Sequence, residues 1–321
     1  QYELSEDGRF LAFVTKTQDG AGDGVHRLAL AGGDPVCVLG GRGEYLGLEF
    51  DERGELLAFV SDRDDQAREA EDERRFALYL VGANSTEAQL VAGSESLGLA
   101  AGWGVAKGRS PAFSDDGARL YFGSAPLPAP KPQEPTDDDR VVLDVWSWTD
   151  DQIQPVQLKQ RQSELDRSYL AVAHLAPIGA RLVQLGTPDV PEVDVAEGRR
   201  GRWALGSSDR RWRHERQWDS DVRADVWRID VSTGERVQVI DGGLGNAALS
   251  PTGRFATYWD GADRHHWIVD LDAETPTPRR LTGGITSPLW NELHDQPSLP
   301  ASYGTSGWLQ GDAGLLVHDS Y

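Results

Sequence analysis

One ten-residue unit, Phe113-Ser114-Asp115-Asp116-Gly117-Ala118-Arg119-Leu120-Tyr121-Phe122, limits the folds open to this chain more than any other feature, because variants of it recur along the whole sequence. In each copy an apolar strand runs into a polar stretch ending in Gly, where a positive φ costs glycine nothing, and a second apolar strand leaves. The copies occupy residues 4–13, 50–59 and 249–256, with a weaker one at 309–317 and a fainter one at 195–205. Most are followed by another strand pair, clearest in Asp225-Val226-Trp227-Arg228-Ile229-Asp230-Val231 before residues 236–240, and again at 266–271 with 279–282. Four short strands per repeat result. Taking Gly8, Gly54, Gly117, Gly201, Gly253 and Gly314 as the anchors, the spacings are 46 and 63 residues in the first half and 52 and 61 in the second. These spacings fit four-stranded blades with loops of variable length. The expected fold is all-β, a β-propeller of four-stranded antiparallel blades, five or six complete and one partial.

A propeller spreads its core between blades, so the 321 residues are expected to form one propeller domain, 1–321, rather than the two domains that length alone suggests. The net charge of -20 speaks against a nucleic-acid partner, which needs a basic face, and favours cationic ligands. No apolar run reaches membrane-spanning length and no signal peptide is visible. A single cysteine, Cys37, excludes an internal disulfide. The sequence contains no methionine, where ordinary usage of about one residue in fifty predicts several. The last repeat also stops after its second strand, which leaves an open sheet edge. Both features lead to the expectation that the chain is a piece of a longer protein, or that methionines are missing from the written sequence.

In chain order, residues 2–40 read as the first blade and about 45–92 as the second, with a mixed-charge loop or short exposed helix between Asp62 and Arg75. The third begins near Leu97 and carries a Pro-rich insertion at 125–132, followed by Thr136-Asp137-Asp138-Asp139. A strand is expected at 141–148 and a short polar helix between Gln154 and Arg167. The hairpin formed by 169–174 and 181–185 either completes the third blade or belongs to a separate one. Residues 190–240 and 245–282 supply the last complete blades, and 285–321 starts another.

Several stretches together resemble the N-terminal propeller of bacterial prolyl-oligopeptidase-family serine peptidases. They are Gly102-Trp103-Gly104-Val105, the Phe113 hairpin, Asp144-Val145-Trp146-Ser147-Trp148, Asp166-Arg167-Ser168-Tyr169-Leu170-Ala171-Val172, Trp259-Asp260-Gly261 and Trp290-Asn291-Glu292-Leu293-His294-Asp295-Gln296-Pro297. The hairpins are shared with TolB-type propellers; the Asp144 and Trp290 stretches are more specific. The resemblance implies a peptide substrate and a following α/β-hydrolase domain with a Ser-Asp-His triad that this propeller gates. No cofactor is assigned, and the location is left open, with the bacterial periplasm or secretion favoured over the cytoplasm. The sequence departs from that family decisively, because no Gly-x-Ser-x-Gly nucleophile elbow exists in it. Ser306, in Gly304-Thr305-Ser306-Gly307, lacks the spacing. No catalytic residue is therefore assigned, and the alternative reading is a stand-alone TolB-like binding or interaction propeller.

The candidate substrate-binding residues are Trp290, Asn291, Glu292, His294 and Asp295, where an acidic pair beside an imidazole suits an amine. Three ligands in four residues without a fourth do not make a metal site, and none is assigned. The plainer role for this cluster is to hydrogen-bond its own loop. His265-His266 and His214-Glu215 read as structural polar contacts. Of the eleven tryptophans, Trp146, Trp148, Trp227 and Trp267 are expected to fill wedges between blades, while Trp103, Trp212, Trp218 and Trp290 are left as surface contacts.

Overall fold

The computed structural model describes residues 1–68, 70, 73–128, 146–175 and 179–319. Its elements are almost all strands. The first sheet is β1 (Tyr2–Leu4), β2 (Phe10–Thr15), β3 (Gly24–Ala29) and β4 (Val36–Gly40), and the second is β5 (Tyr45–Phe50), β6 (Leu57–Ser61), β7 (Ala77–Val81) and β8 (Gln89–Ala92). The third contains β9 (Trp103–Val105), β10 (Ala112–Phe113), β11 (Arg119–Pro126), β12 (Tyr169–Leu175) and β13 (Ala180–Gln184). The fourth is β14 (Glu192–Val195), β15 (Trp203–Ser208), β16 (Arg223–Asp230) and β17 (Arg236–Leu244); the fifth is β18 (Ala248–Leu249), β19 (Phe255–Asp260), β20 (His265–Asp270) and β21 (Arg279–Arg280). A two-stranded sheet, β22 (Thr305–Trp308) with β23 (Leu315–Val317), follows. Every pairing is antiparallel between sequence neighbours except β9, which pairs with β11. The chain is thus all-β with the repeated four-stranded sheets of a β-propeller, and the hairpin at 169–185 completes the third sheet.

All six recurrent hairpins form, with Leu4 opposite Leu11, Phe50 opposite Leu57, Phe113 opposite Leu120, Val195 opposite Ala204, Leu249 opposite Ala256 and Trp308 opposite Leu315. The turn is set by a serine as well as by glycine. Ser5, Ser114 and Ser250 each accept the backbone N–H five residues on, at 2.9, 3.0 and 2.9 Å, while the glycine three residues on takes a φ of 68°, 69° or 78°. Two anchors differ from the expected ones: the left-handed positions in the fourth and last hairpins are Gly198 and Gly311, not Gly201 and Gly314.

The contacts divide the chain into two compact units, residues 1–184 and 185–321. Within the first, strand alternation explains the core. Leu57 and Phe59 of β6 join Tyr79, Val81 and the first-sheet residues Ala12, Val25 and Val38. Ala58 and Val60 point the other way and join Leu78 with Phe113, Leu120 and Phe122 of the third sheet. The second sheet is buried on both faces, as a propeller blade is between its neighbours. In the second unit, Trp203, Leu205 and Val226 of the fourth sheet pack against Ala256, Tyr258 and Val269 of the fifth. Arginines on third strands staple adjacent sheets: Arg27 donates to the carbonyls of Gly82 (3.0 Å) and Ser85 (2.8 Å), and Arg228 to those of Leu271 (2.7 Å) and Ala273 (2.9 Å).

Among the described residues the one α-helix, α1 (Gln154–Leu165), buries no residue and matches the expected polar helix. Arg63–Asp65 forms a 3-10 turn inside the mixed-charge loop. Trp146 and Trp148 are not core: they are 64% and 95% exposed and outside any strand, and among the described residues no sheet covers them. The rest of that expected strand, 141–145, the insertion from 129 and the Thr136-Asp137-Asp138-Asp139 run lie outside the described residues. Trp227 and Trp267 are half-buried, and Trp267 stacks on Tyr258. Trp103, expected in a loop, lies on β9 against Tyr169.

Candidate functional site

Antiparallel order sends first-to-second and third-to-fourth turns to one end of each sheet and all other connections to the opposite end. The tight Ser-x-x-Gly turns occupy the first end. The second end is where β6 leaves for β7 and β11 for β12 in the N-terminal unit, and it carries the long connections 209–222 and 281–304 in the C-terminal unit. The predicted site residues all fall on the last of these.

That loop is clasped at its neck. Asn291 donates its amide to Ala301 (3.0 Å), Tyr303 donates to Leu289 (3.0 Å), and Leu289 is buried. Inside the clasp, the Asn291 side-chain oxygen accepts the amide of Leu293 (3.1 Å) and its carbonyl accepts that of His294 (3.2 Å), a tight polar turn. His294 Nε2 lies 2.7 Å from the Ser298 carbonyl, which only accepts, so that nitrogen carries the proton and the imidazole ties the two limbs of the loop together. Trp290 is half-buried with the Arg264 guanidinium 5.0 Å from its ring centroid. Glu292 and Asp295 are exposed, as is Leu293 at 89%. The structure therefore brings the five candidates onto one loop but divides their work: Asn291 and His294 hold its shape, Trp290 roots it, and two carboxylates face solvent.

Sequence reasoning missed what lies beside it. The loop's second limb is held by Trp259, whose Nε1 donates to Pro300 (2.9 Å), and by Asp221, whose carboxylate accepts the Leu299 amide at 3.1 and 3.2 Å. Between them opens a cavity of about 390 Å³, walled by Val222, Leu244, Trp259 and Leu299 with Arg216 and Asn246 among its polar groups. One Arg216 nitrogen rests 3.0 Å from Asp209. Trp259-Asp260-Gly261 enters the sequence reading only as one of the stretches that carry the resemblance, and its tryptophan is what couples sheet to loop. His214, on the 3-10 segment Arg210–Gln217, packs edge-on against Trp218, which is 73% exposed.

A second pairing was also unforeseen. Ser306 is the extra residue of a β-bulge between β22 and β23, and its Oγ lies 2.8 Å from His318 Nε2. Both side chains are exposed, so the pair lacks the water-excluded, oxyanion-stabilising surroundings that activate a serine. Among the described residues no group of three or more His, Cys, Asp or Glu side chains is placed to hold a metal ion. Nor is any helix of the described residues long and apolar enough to cross a membrane.

No protein-family model matches the chain, and no curated protein sequence matches it. Among solved structures it is similar to the tricorn protease (13% identity, over 87% of this chain and 27% of that one, TM-score 0.38). It is also similar to a Mycobacterium tuberculosis puromycin-hydrolyzing peptidase (17% identity, 84% and 33%, TM-score 0.35) and to TolB from Acinetobacter baumannii (13% identity, 85% and 65%, TM-score 0.26). The chain spans less than two thirds of the length of each of these proteins. At these identities the likeness is one of fold.

Proposed function

We propose that residues 1–321 act as a non-catalytic, peptide-gating propeller module, working with an α/β-hydrolase domain of a prolyl-oligopeptidase-like serine peptidase. The observation that carries this reading is the placement of the acidic 290–300 loop and the adjoining 390 Å³ cavity at the sheet end that bears the long connections. A peptide's ammonium or basic side chain would meet Glu292 and Asp295, while an apolar side chain would rest against Trp259 and Leu299. The charge contributes mainly to encounter and orientation. The stand-alone TolB-like binding propeller shares every one of these features except the hydrolase partner.

Two experiments test the reading. Fluorophosphonate probes should label no serine of this chain, Ser306 included, because the imidazole beside its hydroxyl is solvated. Stoichiometric labelling of Ser306 would refute a non-catalytic role. In the protein carrying the hydrolase domain, Glu292→Gln with Asp295→Asn should raise KM for short cationic peptides by about 2–5-fold at low ionic strength, as expected for exposed charge pairs. The effect should fade with added salt and leave kcat and thermal stability unchanged. A lowered Tm with unaltered KM assigns the loop a purely structural role.

A further inference from the structure

His266 has no role in the reading above, yet it is among the most constrained polar side chains in the C-terminal unit. It sits on β20, 5% exposed, directly opposite Trp259 of β19, with the two rings tilted at 59° and 4.9 Å between centroids. Its backbone is fully engaged: the amide donates to the Thr282 hydroxyl (3.0 Å) and the carbonyl accepts from Leu281 (2.8 Å). Its Nε2 is buried and has no protein group within hydrogen-bonding reach. A neutral imidazole tolerates this with an unprotonated nitrogen. An imidazolium does not, because it must place a donor at both nitrogens and a positive charge in the packed interior.

We propose that His266 is a positioning residue that latches the 289–303 loop through Trp259, and that protonating it releases the latch and opens the cavity wall. The chain of contacts is continuous: the neutral His266 ring supports the Trp259 indole, whose Nε1–H holds Pro300, and Leu299 and Pro300 line the cavity. The charged groups around the ring do not favour imidazolium. On β19 and its turn, Asp260 accepts the amides of Ala262 and Asp263, and Asp263 is paired with Arg280 of β21. Arg279 and Arg280 of β21 pair with Ile268 and Trp267 in register, not with His266. On β20 itself the adjacent His265 opposes a second positive charge. Arg264, in the turn between β19 and β20, lies over Trp290 of the loop, where Glu292 and Asp295 face solvent. Burial, then His265, hold the His266 imidazole below its ordinary value of 6.5.

The sign follows. The opened form binds the proton more tightly than the closed form, so closure is complete above the ordinary imidazole pKa and is lost as pH falls below it, until the folded pKa is reached. Within that window each pH unit multiplies the opening equilibrium by about ten. The bearing on ligand access rests on the peptide-gate reading, but the latch is tested without ligand. In hydrogen-exchange mass spectrometry of the full chain, corrected for intrinsic rates, protection of residues 289–303 should fall between pH 7.5 and 5.5, by at most about tenfold, while β6 stays protected. His266→Phe, neutral at every pH, should abolish the dependence; His265→Asn should retain it. If His266→Phe does not fold, NMR titration of the unmodified chain decides: the His266 imidazole and the Trp259 indole N–H should titrate with one midpoint. Protection of 289–303 that is indifferent to pH, a fall that persists in His266→Phe, or separate midpoints would overturn the latch.

Discussion

Replacing Arg228 by methionine is expected to cost the C-terminal unit about 2–4 kcal/mol, read as a lower midpoint in urea unfolding, since hydrogen bonds from a charged donor contribute roughly 1.5–3 kcal/mol and a desolvated cation–π contact adds to them. Methionine keeps the apolar stem of the side chain. It removes the nitrogen that joins β16 to the β20–β21 turn through the carbonyls of Leu271 and Ala273, and Leu271 is fully buried, so water does not readily replace the donor. The guanidinium also lies 4.3 Å from the ring centroid of Trp203, whose Nε1 donates to Asp272 in the same turn (2.8 Å). One substitution therefore loosens two anchors between the fourth and fifth sheets. Arg202 is the control: it lies 4.2 Å from the same ring but is largely exposed, and Arg202→Met should cost under about 1 kcal/mol, as surface ion pairs do. Equal losses for the two variants would show that the staple contributes nothing beyond its contact with the ring.

Such staples were not legible in the sequence. An arginine among alternating apolar residues reads as the solvent face of a strand, and what makes Arg27 or Arg228 structural is a turn carbonyl of the next sheet, 55 or 43 positions away. The hairpins were legible because their information is local: an apolar run, a short polar turn and a glycine that must take a positive φ. Where two glycines stand three apart, as in Gly198 with Gly201 and Gly311 with Gly314, spacing alone did not show which one turns left-handed. Trp146 and Trp148 failed for the opposite reason. Alternation predicts a face, but a face becomes core only where another sheet covers it, and among the described residues none covers these two.

The site was legible in the same uneven way. The polar run from Asn291 to Asp295 announced a loop rich in hydrogen-bonding groups, and the plainer reading holds for Asn291 and His294 while Glu292 and Asp295 are left to solvent. The cavity was not legible, because its walls come from four connections between 216 and 301 that only the stacking of sheets brings together. The same is true of His266, where burial and a tryptophan on the neighbouring strand, not any local motif, set its chemistry.

In the N-terminal unit the largest single effect is expected at Gly98. A Cβ there would stand 2.1 Å from the carbonyl oxygen of Leu182 and 3.1 Å from its Cβ, and the residue holds a φ of +98°. Leu182 cannot retreat, since it is 6% exposed, paired with Ala173 in the third sheet and part of that sheet's core. The link must move instead, and it carries Leu99, which packs on the same core. Left-handed strain of about 1–2 kcal/mol and a steric term of about 1–3 kcal/mol give an expected loss of roughly 2–5 kcal/mol for Gly98→Ala. Two glycines of the same link separate those contributions. Gly102 has a φ of +76° with nothing near its would-be Cβ, so Gly102→Ala should show the backbone term alone, about 1–2 kcal/mol. Gly93 has neither a left-handed φ nor a close neighbour, and Gly93→Ala should change stability by less than about 0.5 kcal/mol. Unfolding curves for the three variants should therefore rank Gly98, Gly102, Gly93 in falling cost. If Gly98→Ala costs no more than Gly102→Ala, the link does not press against β13 as described, and the close seating of the 93–102 connection on the third sheet is wrong.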